Sequence, residues 1–227
     1  MKQKLTILFD LDGTLVDTAP DLMLAHNHVM RKFGYPTKST EDIRNLVGKG
    51  AGALIGRSIW GQAKKEFSKV LDEKIKDEMV KEFVNFYGKN IVNESTLIIG
   101  VKDFLIWCKE QNISMAVCTN KQEHLSNDLL KKIDIYDFFE YVAGSNTFDY
   151  CKPDPRHLTN VVEILDGDVK KTIMIGDSET DANAAKAAEI PVILLENGYT
   201  EKNTTEIYHN HLIKDFIGIE KIISKYL

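Results

Sequence analysis

The segment Phe9-Asp10-Leu11-Asp12-Gly13-Thr14 places two carboxylates at alternate positions behind a short apolar run. Side chains alternate across a strand, so residues i and i+2 leave it on the same side. Asp10 and Asp12 are therefore expected to emerge side by side, with Gly13 permitting a sharp turn after them. Carboxylates this close repel unless a cation or a shared proton offsets them. A second cluster repeats the arrangement: Ile173-Met174-Ile175-Gly176-Asp177-Ser178-Glu179-Thr180-Asp181 reads as strand, glycine, then acids. If a helix starts near Ser178, Asp177 and Asp181 lie one turn apart and face one site. An acidic turn would explain the first cluster alone, and helix capping one acid of the second. Neither explains both clusters at strand ends. Asp10, Asp12 and Asp177 together offer hard oxygen ligands for Mg²⁺, which retains waters that a phosphate can replace.

Two further segments point the same way. Cys118-Thr119-Asn120 ends another apolar run with a hydroxyl and an amide, and Lys152 precedes Pro153-Asp154-Pro155. The prolines fix the backbone and set the lysine just ahead of a helix. Taken singly, Thr119 reads as a strand-end cap and Lys152 as a solvated lysine. With four acids they supply a hydroxyl donor, a fixed cation and a metal cradle, the parts a transferring phosphoryl group needs. Gly48-Lys49-Gly50-Ala51-Gly52-Ala53 fits the dinucleotide-binding spacing, but it follows the helical stretch Thr40-Glu41-Asp42-Ile43-Arg44-Asn45 rather than a strand. Its glycines are read instead as freeing a loop to approach the site. Lys49 and Arg57 could then meet a substrate carboxylate; exposed surface cations are the competing reading. His26, His28 and His124 read as packing or surface residues, because magnesium prefers oxygen.

These groups need a scaffold, and the hydrophobic pattern supplies one. Apolar runs at 5–9, 113–118, 172–175 and 191–195 predict buried parallel strands, with 141–143 a weaker fifth. Between them, Val101/Leu105/Cys108, Leu125/Leu129/Ile133 and Leu158/Val161/Val162/Leu165 have helical spacing, and 181–188 is alanine-rich. Strands alternating with helices predict an α/β fold: a Rossmann-like parallel sheet covered on both faces. From about 18 to 90 the rhythm breaks into helices only, marked by Leu22/Ala25/Val29/Phe33, Ala51/Leu54/Ile55/Ser58 and Ile75/Met79/Phe83/Phe86. The expected organisation is a core of 1–17 and 91–227 with an all-helical insert, 18–90. Phe216, Ile219, Ile223 and Tyr226 predict a final amphipathic helix.

Composition narrows the function classes. The 227 residues carry 29 Lys and Arg against 34 Asp and Glu, a net charge of −5, which argues against a general nucleic-acid surface. At 43% hydrophobic the chain can bury a sizeable core, which excludes wholesale disorder. Cys108, Cys118 and Cys151 form neither a disulfide framework nor a paired zinc motif. The N-terminal apolar run stops at Asp10, too short for a signal peptide, and no run approaches the ~20 residues that span a bilayer. A cytoplasmic protein without membrane or nucleic-acid partners is expected.

The four blocks Asp10-Leu11-Asp12-Gly13-Thr14, Thr119-Asn120, Lys152-Pro153 and Gly176-Asp177-Ser178 through Asp181 resemble, in order, those of haloacid dehalogenase superfamily phosphatases. The helical insert falls where that superfamily carries its cap. Finer likeness, through Asp17-Thr18-Ala19-Pro20-Asp21-Leu22, Leu46-Val47-Gly48-Lys49-Gly50-Ala51 and Lys152-Pro153-Asp154-Pro155, is to phosphoglycolate phosphatases. The resemblance implies Asp10 as nucleophile forming an aspartyl-phosphate and Asp12 as the acid and base, its main-chain carbonyl also ligating metal. It implies Thr119 and Asn120 as holders of phosphoryl oxygens, Lys152 as the offsetting cation and Asp177 as a direct ligand. Asp181 is a ligand through water or an orienter. The substrate would be a small phosphorylated metabolite and the assembly a monomer or homodimer. Retention of Asp12 favours phosphate esters over haloacids, since halide departs without a proton. Other phosphate substrates and phosphomutase activity stay open; a receiver-type signalling module lacks the large insert. Four positions depart from the family pattern: Ile99 for a proline, Glu189 for a glycine, and Ser145-Asn146 for Gly-Asp.

Overall fold

The protein is described here by a computed structural model covering residues 4–63 and 73–227. Its strands are β1 (Thr6–Phe9), β2 (Val16–Asp17), β3 (Thr96–Leu97), β4 (Ser114–Cys118), β5 (Tyr141–Ala143), β6 (Thr172–Gly176), β7 (Val192–Leu195) and β8 (His211–Ile213). Helices α1 (Ala19–Phe33), α2 (Thr40–Arg44), α3 (Ala51–Ala63) and α4 (Glu73–Lys89) come first. After them follow α5 (Val101–Glu110), α6 (Glu123–Lys132), α7 (Arg156–Ile164), α8 (Glu179–Ala187) and α9 (Glu220–Ile223).

Six strands form one parallel sheet in the order β5-β4-β1-β6-β7-β8. The period of two sorts their side chains between two cores. Ile7, Phe9, Met115, Val117, Ile173 and Ile175 pack on one face with Phe104 and Leu105 of α5 and Leu129 of α6. Leu8, Ala116, Cys118 and Met174 pack on the other with Leu158 and Val161 of α7 and Ala184 of α8. Burying each face under helices is what makes these strands continuous apolar runs. All five expected strands are present. The edge strand β8 and the antiparallel pair β2–β3 are additions: β8 is only half-buried and the pair two residues long, so neither has a hydrophobic pattern to read.

Helices α1 to α4 form the insert, entered from β2 and left towards β3. Leu22 and Val29 of α1, Ile43 of α2, Leu54 and Ile55 of α3, and Met79 and Phe83 of α4 join the first core without a break. Asp21 fastens the exit of the insert to its entrance, accepting from the N–H groups of Asn93, Glu94 and Ser95 and from the Ser95 hydroxyl at 2.6 Å. The C-terminal helix is shorter than expected. Gly218, at φ +76°, interrupts the pattern and leaves only Glu220–Ile223 helical, although Phe216, Ile219 and Ile223 are all buried.

Candidate active site

Three adjacent strands end in chemistry. Asp10 follows β1, Thr119 follows β4 and Asp177 follows β6, all at carboxyl ends beside one another in the sheet. The ladder continues past the strands to hold them: Asp10 N–H donates to the Ile175 carbonyl, and Thr119 N–H to that of Ala143, both at 2.9 Å. Ligands of open parallel sheets bind at this edge.

Asp10, Asp177 and Asp181 are buried and present carboxylate oxygens within 4.8 Å of one another. Lys152 lies among them, its ammonium 2.9 Å from Asp10 Oδ1 and 2.5 Å from Asp181 Oδ1. Asp10 Oδ1 also accepts the Leu11 N–H at 2.7 Å, and Oδ2 has no hydrogen bond among the described residues. Asp181 Oδ2 closes a capping box at the start of α8, accepting the Ser178 hydroxyl at 2.7 Å. Both of its oxygens are thus engaged, one in the helix and one on Lys152.

Three acids around one lysine leave negative charge uncompensated. Burial and the charge of Asp181 push Asp10 up to about 6, against the pull of Lys152. Burial, Asp181 and Asp10 push Asp177 well above the usual carboxylate range. Lys152 stays charged: burial works against it, but Asp10 and Asp181 lift it above an ordinary lysine.

Gly13 is required here for two reasons. It adopts φ +79°, and a Cβ at this position would stand 2.2 Å from Asp177 Oδ2. Behind it, Tyr199 donates its N–H to Asp177 Oδ2 at 2.6 Å. Its hydroxyl donates to Asp17 and accepts the first N–H of α1, tying the metal-type acid to the root of the insert. Arg44 of α2 completes the link with a 2.6 Å bond to Asp17. Burial would raise Asp17, but the bonds from Arg44 and Tyr199 hold it below the usual range. Tyr199 had no signal in the sequence, because it lies in a loop 22 residues beyond its partner Asp177.

Asp12 takes partners different from those of Asp10. Lys121 donates to both its oxygens, at 2.6 and 2.8 Å, and Thr18 Oγ to Oδ1 at 2.7 Å. Its carboxylate is not part of the three-acid cluster. Lys121 escaped the sequence reading, although it stands two residues beyond Thr119 on the same strand end. Its N–H donates to Thr119 Oγ at 3.2 Å, which leaves the threonine's own proton without a partner among the described residues. Asn120 spends its amide on the carbonyls of Gly48 and Lys152, at 3.0 and 2.9 Å, and its Oδ1 is unpartnered among the described residues.

A cavity of about 270 Å³ opens between core and insert. Asp10, Asp12, Thr119, Asn120 and Lys121 line it from the core, and Lys49, Leu22, Phe83 and Tyr87 from the insert. The glycine-rich loop does approach the core: Gly48 and Gly50, both at positive φ, border the cavity after α2 rather than after a strand. Lys49 is exposed at its margin. Arg57 is not a lining residue; its guanidinium is held by the Asn45 and Leu46 carbonyls and by Glu201. The histidines stand apart: His26 is buried between Asn27 and Ser58, His28 pairs with Glu82, and His124 is exposed. Among the described residues no helix is long and apolar enough to cross a membrane.

The departures from the family pattern have local explanations. Asn146 Oδ1 accepts the Glu123 N–H at 2.9 Å, serving the start of α6 as a carboxylate would. Glu189 adopts φ 58°, a conformation suited to the glycine it replaces. Ile99 is exposed and imposes nothing.

Comparison with known proteins agrees with this geometry. Residues 7–195 match the family model described as haloacid dehalogenase-like hydrolase. A phosphoglycolate phosphatase of Caulobacter vibrioides is 38% identical over 216 residues, covering 95% of this chain and 89% of that one. That of Mesorhizobium japonicum is 36% identical over 210 residues, covering 92% and 90%. The crystal structure of a predicted phosphoglycolate phosphatase from Haemophilus somnus superposes with a TM-score of 0.91 at 30% identity, covering 98% of this chain and 99% of that one. With catalytic-type acids at the ends of neighbouring strands and this likeness along nearly its whole length, the chain belongs to the haloacid dehalogenase-like hydrolases.

Proposed function

We propose that this hydrolase is a Mg²⁺-dependent phosphatase that cleaves a small phosphate monoester, 2-phosphoglycolate, to glycolate and phosphate through an aspartyl-phosphate on Asp10. The observation that carries the reading is the environment of Asp10: buried, bordering the cavity, with Oδ1 fixed by Leu11 N–H and Lys152 and Oδ2 unengaged. Even at about 6, its pKa leaves it mostly ionised at neutral pH, so it needs no base to attack. The names of the relatives support the choice of substrate, since three phosphoglycolate phosphatases align over nearly the whole chain.

The donor set fits a hard divalent ion. Asp10 and Asp177 are both raised by burial and by neighbouring carboxylates, the under-compensation that a dication relieves. Asp10 and Asp177 would hold Mg²⁺ directly with the main-chain carbonyl of Asp12, and Asp181, already bonded to Ser178 and Lys152, would orient them. When bound, Mg²⁺ would screen the approach of a carboxylate to a phosphate dianion.

The chain's own groups do the rest. Asp10 attacks the phosphorus and displaces the alkoxide; Asp12, which enters the cycle carrying a proton, gives it to that alkoxide and regains one from the water that hydrolyses the acyl-phosphate. Thr119 Oγ offers its free proton to a phosphoryl oxygen, and Lys152 offsets charge on Asp10 and on the phosphate. Asn120 would have to release the Gly48 or Lys152 carbonyl before its amide could join them. The insert, 18–90, acts as a cap over a core of 1–17 and 91–227. Asp10→Asn should lower turnover on the order of 10⁴-fold and abolish the phosphorylated protein detected by mass spectrometry after acid quench. Chelation by EDTA should stop turnover and Mg²⁺ restore it. Retained phosphorylation in Asp10→Asn would displace the nucleophile elsewhere.

A further inference from the structure

Phosphoglycolate differs from a phosphate ester with an uncharged leaving group by one carboxylate, only two bonds from the ester oxygen. If Asp12 protonates that oxygen, the cation that recognises the carboxylate must lie beside Asp12. Arg57 is engaged by Glu201, and Lys49 is exposed at the cavity margin. Lys121 is in the required place: buried, bonded to both Asp12 oxygens and lining the cavity. An ammonium has three donors, and two of them are taken by Asp12.

A second group points to the same spot. Tyr87 of α4 is 1% exposed and borders the cavity, yet its hydroxyl has no hydrogen-bond partner among the described residues. Lys121 Nζ lies 4.6 Å from the centre of its ring. A buried polar atom without a partner is costly, and in a binding site it marks where a ligand atom belongs. The orphan can donate, and a carboxylate accepts. Apolar Leu22, Phe83 and Leu125 share the wall, and the uncharged polar side chains of Gln122 and Ser145 also line it but carry no charge to offset a carboxylate.

We propose that Lys121 and Tyr87 form the subsite for the carboxylate of the leaving group, one residue from the core and one from the cap. An ester with a carboxylate in its leaving group then binds both at once and draws the cap onto the core, whereas one with an uncharged leaving group of similar length leaves the Tyr87 hydroxyl orphaned. The inference rests on the phosphatase reading above and adds the groups that choose its substrate.

The test compares kcat/KM for 2-phosphoglycolate and for ethyl phosphate in the full-length protein with Mg²⁺. Any change in Asp12 affects both esters, so their ratio isolates recognition of the carboxylate. Wild type should favour 2-phosphoglycolate; Lys121→Met should reduce that ratio on the order of 100-fold, and Tyr87→Phe about 10-fold. Lys121→Arg should keep part of the preference and Lys49→Met nearly all of it. Tyr87→Phe removes an orphan hydroxyl and keeps the ring, so its Tm should not fall, and it carries the test should Lys121→Met fold poorly. A wild-type ratio retained in both Lys121→Met and Tyr87→Phe, or lost in Lys49→Met instead, overturns this subsite and leaves the phosphatase reading standing. A wild type that does not prefer 2-phosphoglycolate overturns the substrate and the subsite together, while phosphorylation of Asp10 would still stand.

Discussion

The two sides of the cavity hold their polar groups in opposite ways. On the core side every acid is fixed more than once: Asp181 by Ser178 and Lys152, Asp177 by Thr14 and Tyr199, Asp10 by Leu11 and Lys152. On the cap side Lys49 is exposed and the Tyr87 hydroxyl has no hydrogen-bond partner among the described residues, while Arg57 lies off the cavity, turned to Glu201. Preorganised groups suit a reaction that is the same for every phosphate ester. Groups held loosely or left unpaired suit the part of the substrate that varies, because the ligand itself must complete them. The difference places the fixed acids at the sheet edge and, on the helices above it, a Tyr87 hydroxyl unpaired among the described residues, with Lys121 of the core beside its ring.

That contrast predicts unequal sensitivity. Among residues that do not themselves carry the chemistry, the largest effect is expected at Gly13, where Ala would press a methyl onto Asp177 and Tyr199 at a backbone angle L-residues avoid. Gly13→Ala should lower kcat/KM on the order of 100-fold and cost about 2 kcal/mol or more in urea unfolding. An active, stable Gly13→Ala would mean that the core site tolerates displacement after all.

Next comes the layer beneath the site. His157 is fully buried, and burial together with the charge of Lys152 lowers it to about 4. The unfolded chain binds this proton near pH 6.5 and the folded one only near 4, so stability is full above pH 6.5 and lost as pH falls towards 4. Between pH 7 and 5 this group should remove about 2 kcal/mol. Asp10, raised to about 6, acts in the opposite sense, gaining stability as pH falls. The difference between wild type and His157→Leu therefore isolates the histidine, and parallel pH profiles of the two would refute its role.

Arg57 probes the cap side. It is partly exposed, so a double-mutant cycle with Glu201→Ala should give a coupling below about 1 kcal/mol. KM should change equally for 2-phosphoglycolate and ethyl phosphate; a rise for the anionic ester alone would return Arg57 to substrate binding. The smallest effect is expected far from both sides. Glu189→Gly relieves a left-handed backbone but gives the unfolded chain more freedom, so a gain of about 0.5 kcal/mol is expected in Tm or urea midpoint.

Much of this was legible in one dimension. Strands buried on both faces must be apolar throughout, so β1, β4, β6 and β7 announced themselves, and the acids after β1 and β6 and the hydroxyl after β4 followed from the chain leaving the sheet. Local order could not reveal Lys121 bonded to Asp12 or Tyr199 to Asp177, since those contacts span 109 and 22 residues. Nor could it tell Arg57, held by Glu201, from Tyr87, whose hydroxyl has no hydrogen-bond partner among the described residues. Residue type and spacing determined which chemistry this protein can perform, because strand geometry is set by neighbours in sequence. Which cations line the cavity was decided only by the packing of helices onto the sheet, because charge acts through space and not along the chain.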